Sequence, residues 1–233
     1  MDILQTITQE FNLNPTHAKN ILSLIDEGNT IPFIARYRKE MTGSCDDQVL
    51  RALSDRLTYL RNLEKRKEEV SSAIGEQGKL TDEIKAALEK AVTLTEVEDI
   101  YRPYKQKRKT RASVAVAKGL QPLADAILAQ DKALDVRREA EKYITEEVKT
   151  ADEAIAGAQD IIAEIISDDA ATRKKIRNFF FNHGEIASSY VKGKEAEDEA
   201  KTYEMYKAYS EPVSESKSHR VLALNRGEKE GFL

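Results

Sequence analysis

The sequence has one cysteine, three histidines and no tryptophan. Because a disulfide needs two thiols, the single residue Cys45 excludes an internal disulfide and a cysteine-based zinc cluster. The histidines His17, His183 and His219 are far apart and have no metal-ligand spacing. The sequence therefore predicts no metal site and no cofactor.

Long apolar segments are also missing. No run approaches the roughly 18 apolar residues that span a bilayer, and the first residues, MDILQTITQEF, lack the basic and apolar regions of a signal peptide. Hydrophobic residues make up 40% of the chain and charged residues 33%, with 37 basic and 41 acidic side chains. This composition is typical of a soluble protein, and we expect a cytoplasmic monomer without a membrane partner.

Glycine and proline are scarce, at 10 and 5 residues, which favours helix over sheet. A stripe of leucines at steps of three and four predicts a long helix over about residues 45–75. Ser44 and Asp47 have the spacing of a capping box at its start, and Gly75 and Gly78 favour its end. The stripe consists of Leu50, Leu53, Leu57 and Leu60.

Shorter helices follow from the same signals. Thr95 with Glu98, and Thr150 with Glu153, have capping-box spacing, and Asp169 and Gly184 bracket a further helix. Inside that last helix, Ile176, Phe179, Phe180 and His183 share one face, which we interpret as packing in or at the edge of the core. Nothing in these segments alternates like a strand, whereas Ser218–Gly227 could form a short helix or a strand.

The first thirty residues predict two helices, Ile3–Phe11 and Pro15–Glu27. Such a pair can be half of a helix-turn-helix, but packed helix pairs that do not read DNA are more common. We therefore expect an all-α fold: an elongated multi-helix assembly with a helix-turn-helix-like amino-terminal element and a long central helix.

Residues with catalytic chemistry are few. Ser218 and His219 are sequence neighbours, whose side chains do not face each other on a helix. The acidic pairs Asp46–Asp47 and Asp168–Asp169 lie near helix starts, where negative charge complements the helix dipole. Neither GxxxxGK[ST] nor GxGxxG is present. The sequence thus predicts no catalytic residues and a binding or scaffolding role.

Basic residues are concentrated in the stretch Tyr101–Arg111, which has six cations and no acid: Arg102, Lys105, Lys107, Arg108, Lys109 and Arg111. These could neutralise phosphates while Tyr101 or Tyr104 stacks on an unpaired base. Equally, the stretch could be a solvated loop neutralised by acids elsewhere, because residues 119–233 carry a net charge of −6 (17 basic, 23 acidic). Arg36, Arg38 and Lys39 would extend the cationic surface if the fold brings them near.

Three segments resemble the amino-terminal region of the bacterial Tex family. They are Ile31–Glu40 (IPFIARYRKE), Tyr101–Lys105 (YRPYK) and Ser218–Gly227 (SHRVLALNRG). The resemblance implies a transcription accessory protein, similar in architecture to a eukaryotic elongation factor. Family members continue with a ribonuclease-H-like domain, helix-hairpin-helix motifs and an S1 domain, the usual nucleic-acid binder.

The resemblance implies a helical scaffold domain over residues 1–200, and a helical linker with the start of a following, truncated module over residues 201–233. We expect weak, sequence-independent binding of RNA or DNA, with the transcription machinery as a further candidate partner. If about four to six phosphates are neutralised, the slope of log affinity against log salt would be roughly −4 to −5 on duplex. The alternative is a protein-protein interaction module that docks on the transcription machinery or on the rest of its own chain.

Overall fold

The structure, a computed structural model, describes residues 2–106, 109–195 and 197–233. Two compact units are present, Met1–Arg108 and Lys109–Leu233, and each is described here by itself. The domain boundary expected near residue 200 stays a prediction, because a compact unit reflects the density of internal contacts and not the extent of a functional domain.

The described residues of the first unit form helices and the turns that connect them, without a strand. Its helices are α1 (Ile3–Glu10), α2 (Pro15–Asp26), α3 (Ile31–Tyr37), α4 (Lys39–Thr42), α5 (Asp47–Glu76), α6 (Asp82–Lys90) and α7 (Leu94–Tyr101), followed by a 3-10 turn at Arg102–Tyr104. The long helix predicted over residues 45–75 is confirmed as α5. Helices α1 and α2 are both present, but a helix-turn-helix role for them stays a prediction.

Two helix starts differ from the prediction. Helix α5 is capped by Asp46, whose side chain accepts a hydrogen bond of 2.8 Å from the Val49 amide, and not by Ser44. Ser44 has a φ of 61° and belongs to the left-handed turn before the helix. Helix α7 is capped by Thr93 and not Thr95, because the Thr93 hydroxyl accepts from the Glu96 amide. In both cases the sequence offered several capping residues within one turn, and only the path of the preceding chain selects among them.

Helix α5 supports two apolar clusters along its length. Leu50, Leu53 and Leu60 pack with α1, α2 and α3, whereas Leu63, Val70 and Ile74 pack with α6 and α7. Tyr59 contacts both clusters. The predicted leucine stripe is at most 1% exposed, so burial of this stripe holds the helices of the first unit around α5.

Arginines on the outer side of α5 tie it to its neighbours. The ion pairs are Arg56–Glu10 (2.6 Å), Arg61–Asp26 (2.7 Å) and Arg66–Glu98 (2.7 Å). Hydrogen bonds from Arg56 and Arg61 lower the pKa of Glu10 and Asp26 below their ordinary values of 4.5 and 3.8. These pairs join α1, α2 and α7 to the central helix.

Acid is therefore expected to weaken the first unit. A carboxyl whose pKa is lowered by folding stabilises the protein above its unfolded pKa, and this stabilisation is lost as the pH falls through the folded value. We expect the urea midpoint of the first unit to drop from about pH 5 downward. The double variant Arg56→Gln and Arg61→Gln should show a shallower drop between pH 6 and pH 3. Equal pH profiles for the two proteins would contradict this role.

The second unit combines helices with a small sheet. Its elements are α8 (Arg111–Ala117), α9 (Gln121–Leu128), α10 (Val136–Ala140), α11 (Ala151–Asp168), α12 (Ala170–His183), β1 (Glu185–Ser189), β2 (Ala208–Pro212) and α13 (Ser218–Lys229), with 3-10 segments at Glu141–Tyr143, Asp198–Tyr206 and Val213–Glu215. Helices α8, α9 and α10 pack on α11 around one apolar cluster. Gly157 permits this contact, since a Cβ there would lie 2.4 Å from the Leu120 Cδ1 atom.

The expectation of no strand was wrong for this unit. Strands β1 and β2 pair antiparallel, with Glu185 opposite Pro212 and Ser189 opposite Ala208. Their side chains do alternate between exposed and more buried positions. Each strand has only five residues with few large apolar side chains, so the local pattern is weak and the pairing joins distant segments. Helices still dominate the described residues, and the all-α class is confirmed.

None of the helices in the described residues combines the length and the apolar composition needed to cross a bilayer.

Candidate nucleic-acid interface

The cations predicted to contact nucleic acid lie in separate parts of the two units. Lys107 and Arg108 fall outside the described residues. Arg36 lies in the last turn of α3 and Arg38 between α3 and α4, whereas Arg102 and Lys105 belong to the turn after α7. Lys109 and Arg111 lie at the start of α8, in the second unit.

The turn after α7 is partly neutralised. The ammonium group of Lys105 binds the carboxylate of Glu98, and it also lies 5.3 Å from the centre of the Tyr101 ring. Burial acts to raise the pKa of Glu98, but hydrogen bonds from Lys105 and Arg66 lower that pKa below its usual value. Lys105 is thus held by a carboxylate within its own unit. Of the two interpretations of the basic stretch, the one in which acids of the chain neutralise the cations fits Lys105 better than the one in which the cation is open to a phosphate.

The start of α8 has a more open cation. Lys109 is exposed, and among the described residues no carboxylate lies within salt-bridge distance of its ammonium group. The Arg111 Nε atom lies 3.4 Å from the Asp160 Oδ1 atom, but Arg111 is 89% exposed, so this pair is weak. Both residues line a groove of about 460 Å³ between α8 and α11, together with Lys118 and Glu153.

An exposed group of three cations lies where α3 ends and α4 begins, and we call it the basic corner: Arg36, Arg38 and Lys39. Within the described part of the chain, no carboxylate lies within salt-bridge distance of any of them. The Arg38 guanidinium lies 5.1 Å from the centre of the Phe33 ring, and that of Arg36 lies 6.0 Å from the Tyr37 ring. The two rings are 5.2 Å apart. The corner therefore combines free charge with aromatic surface.

The basic corner and the turn after α7 do not form one patch. Helix α3 packs in the cluster at the amino-terminal half of α5, where Ile34 lies with Leu50 and Leu53. The carbonyl of Tyr104 instead accepts a 2.9 Å hydrogen bond from Gln77, just beyond the carboxyl end of α5. Because a helix of 30 residues is about 45 Å long, the two groups lie near opposite ends of α5.

The single thiol is poorly suited to nucleophilic chemistry. Cys45 is half-buried, and burial together with the negative charge of Asp46 raises its pKa. A thiol that keeps its proton is a weak nucleophile and a weak metal ligand.

The exposed face of α12 differs from its prediction. The face of α12 that carries Phe179, Phe180 and His183 was interpreted as core or boundary, but all three residues are exposed. None of the described residues of α12 is buried. The helical spacing correctly indicated a shared face; whether another element covers that face is a tertiary property that spacing does not contain.

Comparisons with known proteins agree with these elements. A model of the Tex-like protein N-terminal domain matches residues 1–75, and a Tex central region-like model matches residues 131–233, together about three-quarters of the chain. The chain belongs to the Tex family. The first model covers α1 to α5 almost completely, and the second covers the second unit from α10 onward.

Tex-family relatives match nearly the full length of the chain. YdcI of Bacillus subtilis is 52% identical over 98% of the chain, and the transcriptional accessory protein Tex of Neisseria gonorrhoeae is 44% identical over all of it. The human S1 RNA-binding domain-containing protein 1 is 32% identical over 97% of the chain. The matched regions span 32%, 30% and 23% of these relatives. The chain thus corresponds to about a third or less of their length.

Proposed function

We propose that this Tex-family chain serves a transcription accessory protein as a non-enzymatic helical scaffold that binds nucleic acid weakly and without sequence specificity. The observation that carries the proposal is the basic corner, with three exposed cations beside two aromatic rings and no carboxylate partner in the described residues. Two relatives are named as a transcriptional accessory protein and an S1 RNA-binding domain-containing protein, and these names support a role in transcription with nucleic-acid binding. We place its action in the cytoplasm.

Phosphate binding follows from the chemistry of the corner. Arginine presents a planar fork of donors that matches phosphate oxygens, and a guanidinium near an aromatic ring keeps a defined orientation. Contacts to phosphate carry no information about base identity, so binding would be independent of sequence. Lys109 and Arg111 add charge in the second unit, whereas Lys105 adds less because Glu98 holds it.

A salt titration tests this proposal. Since the open cations number about three at the corner, we expect log affinity for a 20-base-pair duplex to fall against log salt with a slope of about −3. This is shallower than the slope of about −4 to −5 expected from the sequence, because Glu98 holds Lys105, and Lys109 and Arg111 belong to the other unit. Fluorescence anisotropy with labelled duplex DNA and poly(U) RNA between about 25 and 200 mM NaCl measures the slope. Absence of binding at about 50 mM salt to either polymer would overturn the proposal.

The alternative function, a protein-interaction module, is favoured by the small sheet of the second unit. In the described residues β1 pairs only with β2, so each strand has one unpaired edge that an extended segment of another protein can join. The net charge of −6 over residues 119–233 fits a basic partner. Co-purification of a transcription protein that survives nuclease treatment would support this alternative, and loss of the partner after nuclease treatment would count against it.

A further inference from the structure

Helix α12 exposes an unusual amount of apolar and aromatic surface. Its exposed side chains are Ile176 (51%), Phe179 (62%), Phe180 (59%) and Phe181 (53%). Residues 174–183 are exposed at every position. Phenylalanine normally contributes to a core, and a group of exposed large apolar side chains marks an interaction surface.

The three phenyl rings point in different directions. Successive residues of an α-helix are turned by about 100°, so Phe179, Phe180 and Phe181 together cover more than half of the helix circumference. Phe179 and Phe180 meet edge to face with ring centres 6.1 Å apart, and the His183 ring lies 5.0 Å from Phe179. A groove that accepts one helical stripe would bury Ile176, Phe179 and Phe180, and would leave Phe181 in water.

Charge on α12 is of one sign. The helix carries four basic side chains, Arg173, Lys174, Lys175 and Arg177, and no carboxylate between residues 170 and 183. Arg173 donates a hydrogen bond of 3.2 Å to the Ser167 carbonyl, which fixes it at the base of the helix. Lys175 is exposed, and no carboxylate of the described residues lies within salt-bridge distance of its ammonium group. The surface therefore combines exposed rings with an open cation, which suits a polyanion that also offers flat apolar faces.

We propose that α12 is a stacking platform for single-stranded nucleic acid. Unpaired bases would lie against the rings of Phe179, Phe180 and Phe181, while the ammonium group of Lys175 contacts an adjacent phosphate. This inference rests on the proposed function and adds to it a second surface, with a preference for single strands over duplex. Paired bases cannot reach the rings, because their faces are already stacked inside the duplex.

The chemistry of the rings allows a sharp test. The triple variant Phe179→Leu, Phe180→Leu and Phe181→Leu keeps apolar surface and helix propensity but removes every flat ring. We expect it to bind a labelled oligo(dT) of about 15 nucleotides at least roughly tenfold more weakly than the unaltered chain, because base stacking on aromatic side chains is lost. Binding of inorganic polyphosphate, which has charge but no bases, should be unchanged. The matching Phe→Tyr triple variant keeps the rings and should bind oligo(dT) within about twofold of the unaltered chain.

A second measurement does not depend on affinity. The chain has no tryptophan, so the variant Phe180→Trp introduces a single indole fluorophore at the platform. Saturating oligo(dT) should quench the indole emission by stacking, whereas polyphosphate should not. Circular dichroism spectra and melting curves show whether each variant is folded. If the leucine variant unfolds, the quenching measured with Phe180→Trp is by itself the test of the stacking platform.

The outcomes separate this inference from the proposed function. Oligo(dT) binding that the leucine variant retains, together with unquenched indole emission from the Phe180→Trp variant, overturns the platform while leaving salt-dependent phosphate binding in place. A surface that serves a protein partner would give this result, since leucine satisfies an apolar groove. Failure of the unaltered chain to bind either oligo(dT) or polyphosphate overturns both proposals.

Discussion

Replacing Leu60 with alanine is expected to lower the free energy of unfolding of the first unit by about 3 kcal/mol. Leu60 is fully buried in the cluster that α5 forms with α1, α2 and α3. The substitution removes the buried end of the side chain and leaves a cavity that rigid helices fill only in part, so transfer and cavity costs add. Stabilities of about 5–15 kcal/mol are typical of domains, so a loss of this size is a large fraction of the total.

Urea unfolding followed by circular dichroism measures the effect of Leu60→Ala. A matched control is Val92→Ala in the same unit, because Val92 is 56% exposed and its truncation should cost less than about 0.5 kcal/mol. If both substitutions shift the urea midpoint equally, α5 is not the element that holds the first unit together.

Reversing the charge of the basic corner is expected to weaken binding to a duplex of about 20 base pairs at least roughly tenfold at about 50 mM salt. The variant Arg36→Glu, Arg38→Glu and Lys39→Glu takes three cations away from the phosphates and adds repulsion of the polyanion. The slope against log salt should also become shallower by roughly one for each phosphate that is no longer neutralised, which a general loss of folded protein would not produce. The corner is exposed, so the substitutions should leave the melting temperature nearly unchanged.

The control for charge reversal is Lys105→Gln. Its ammonium group already binds Glu98, so its removal should change duplex affinity by less than about twofold. If Lys105→Gln weakens binding as much as the corner variant does, the phosphate surface lies at the turn after α7 and not at the basic corner.

The capping residues show which helix boundaries can be predicted from the local sequence. Thr150 and Asp169 cap α11 and α12 as predicted, because each is a strong capping residue directly before its helix. At α5 and α7 several capping residues compete, and the structure uses Asp46 and Thr93. Which residue caps the helix depends on where the preceding turn ends, and the packing of that turn determines this position.

The candidate sites show a different limit. Sequence proximity placed Arg102, Lys105, Lys109 and Arg111 in one stretch, but ion pairing depends on which acids other segments bring close. Glu98 lies in the helix just before Lys105, whereas Asp160 reaches Arg111 from a helix far along the chain. Charge runs in a sequence therefore predict where cations are, but not which of them remain open to a ligand.

The sequence by itself determined the helical class, the length of α5, the leucine stripe that α5 buries and the resemblance to the Tex family, because these depend on residue spacing within one segment. Only the tertiary structure decided that Lys105 is neutralised, that the basic corner is open, that β1 and β2 pair, and that the aromatic face of α12 is exposed. Glu98 is only seven residues from Lys105, but the turn after α7 decides whether the two side chains meet. The other properties depend on which distant segments approach one another, and the free energy of such contacts is not encoded in any local pattern.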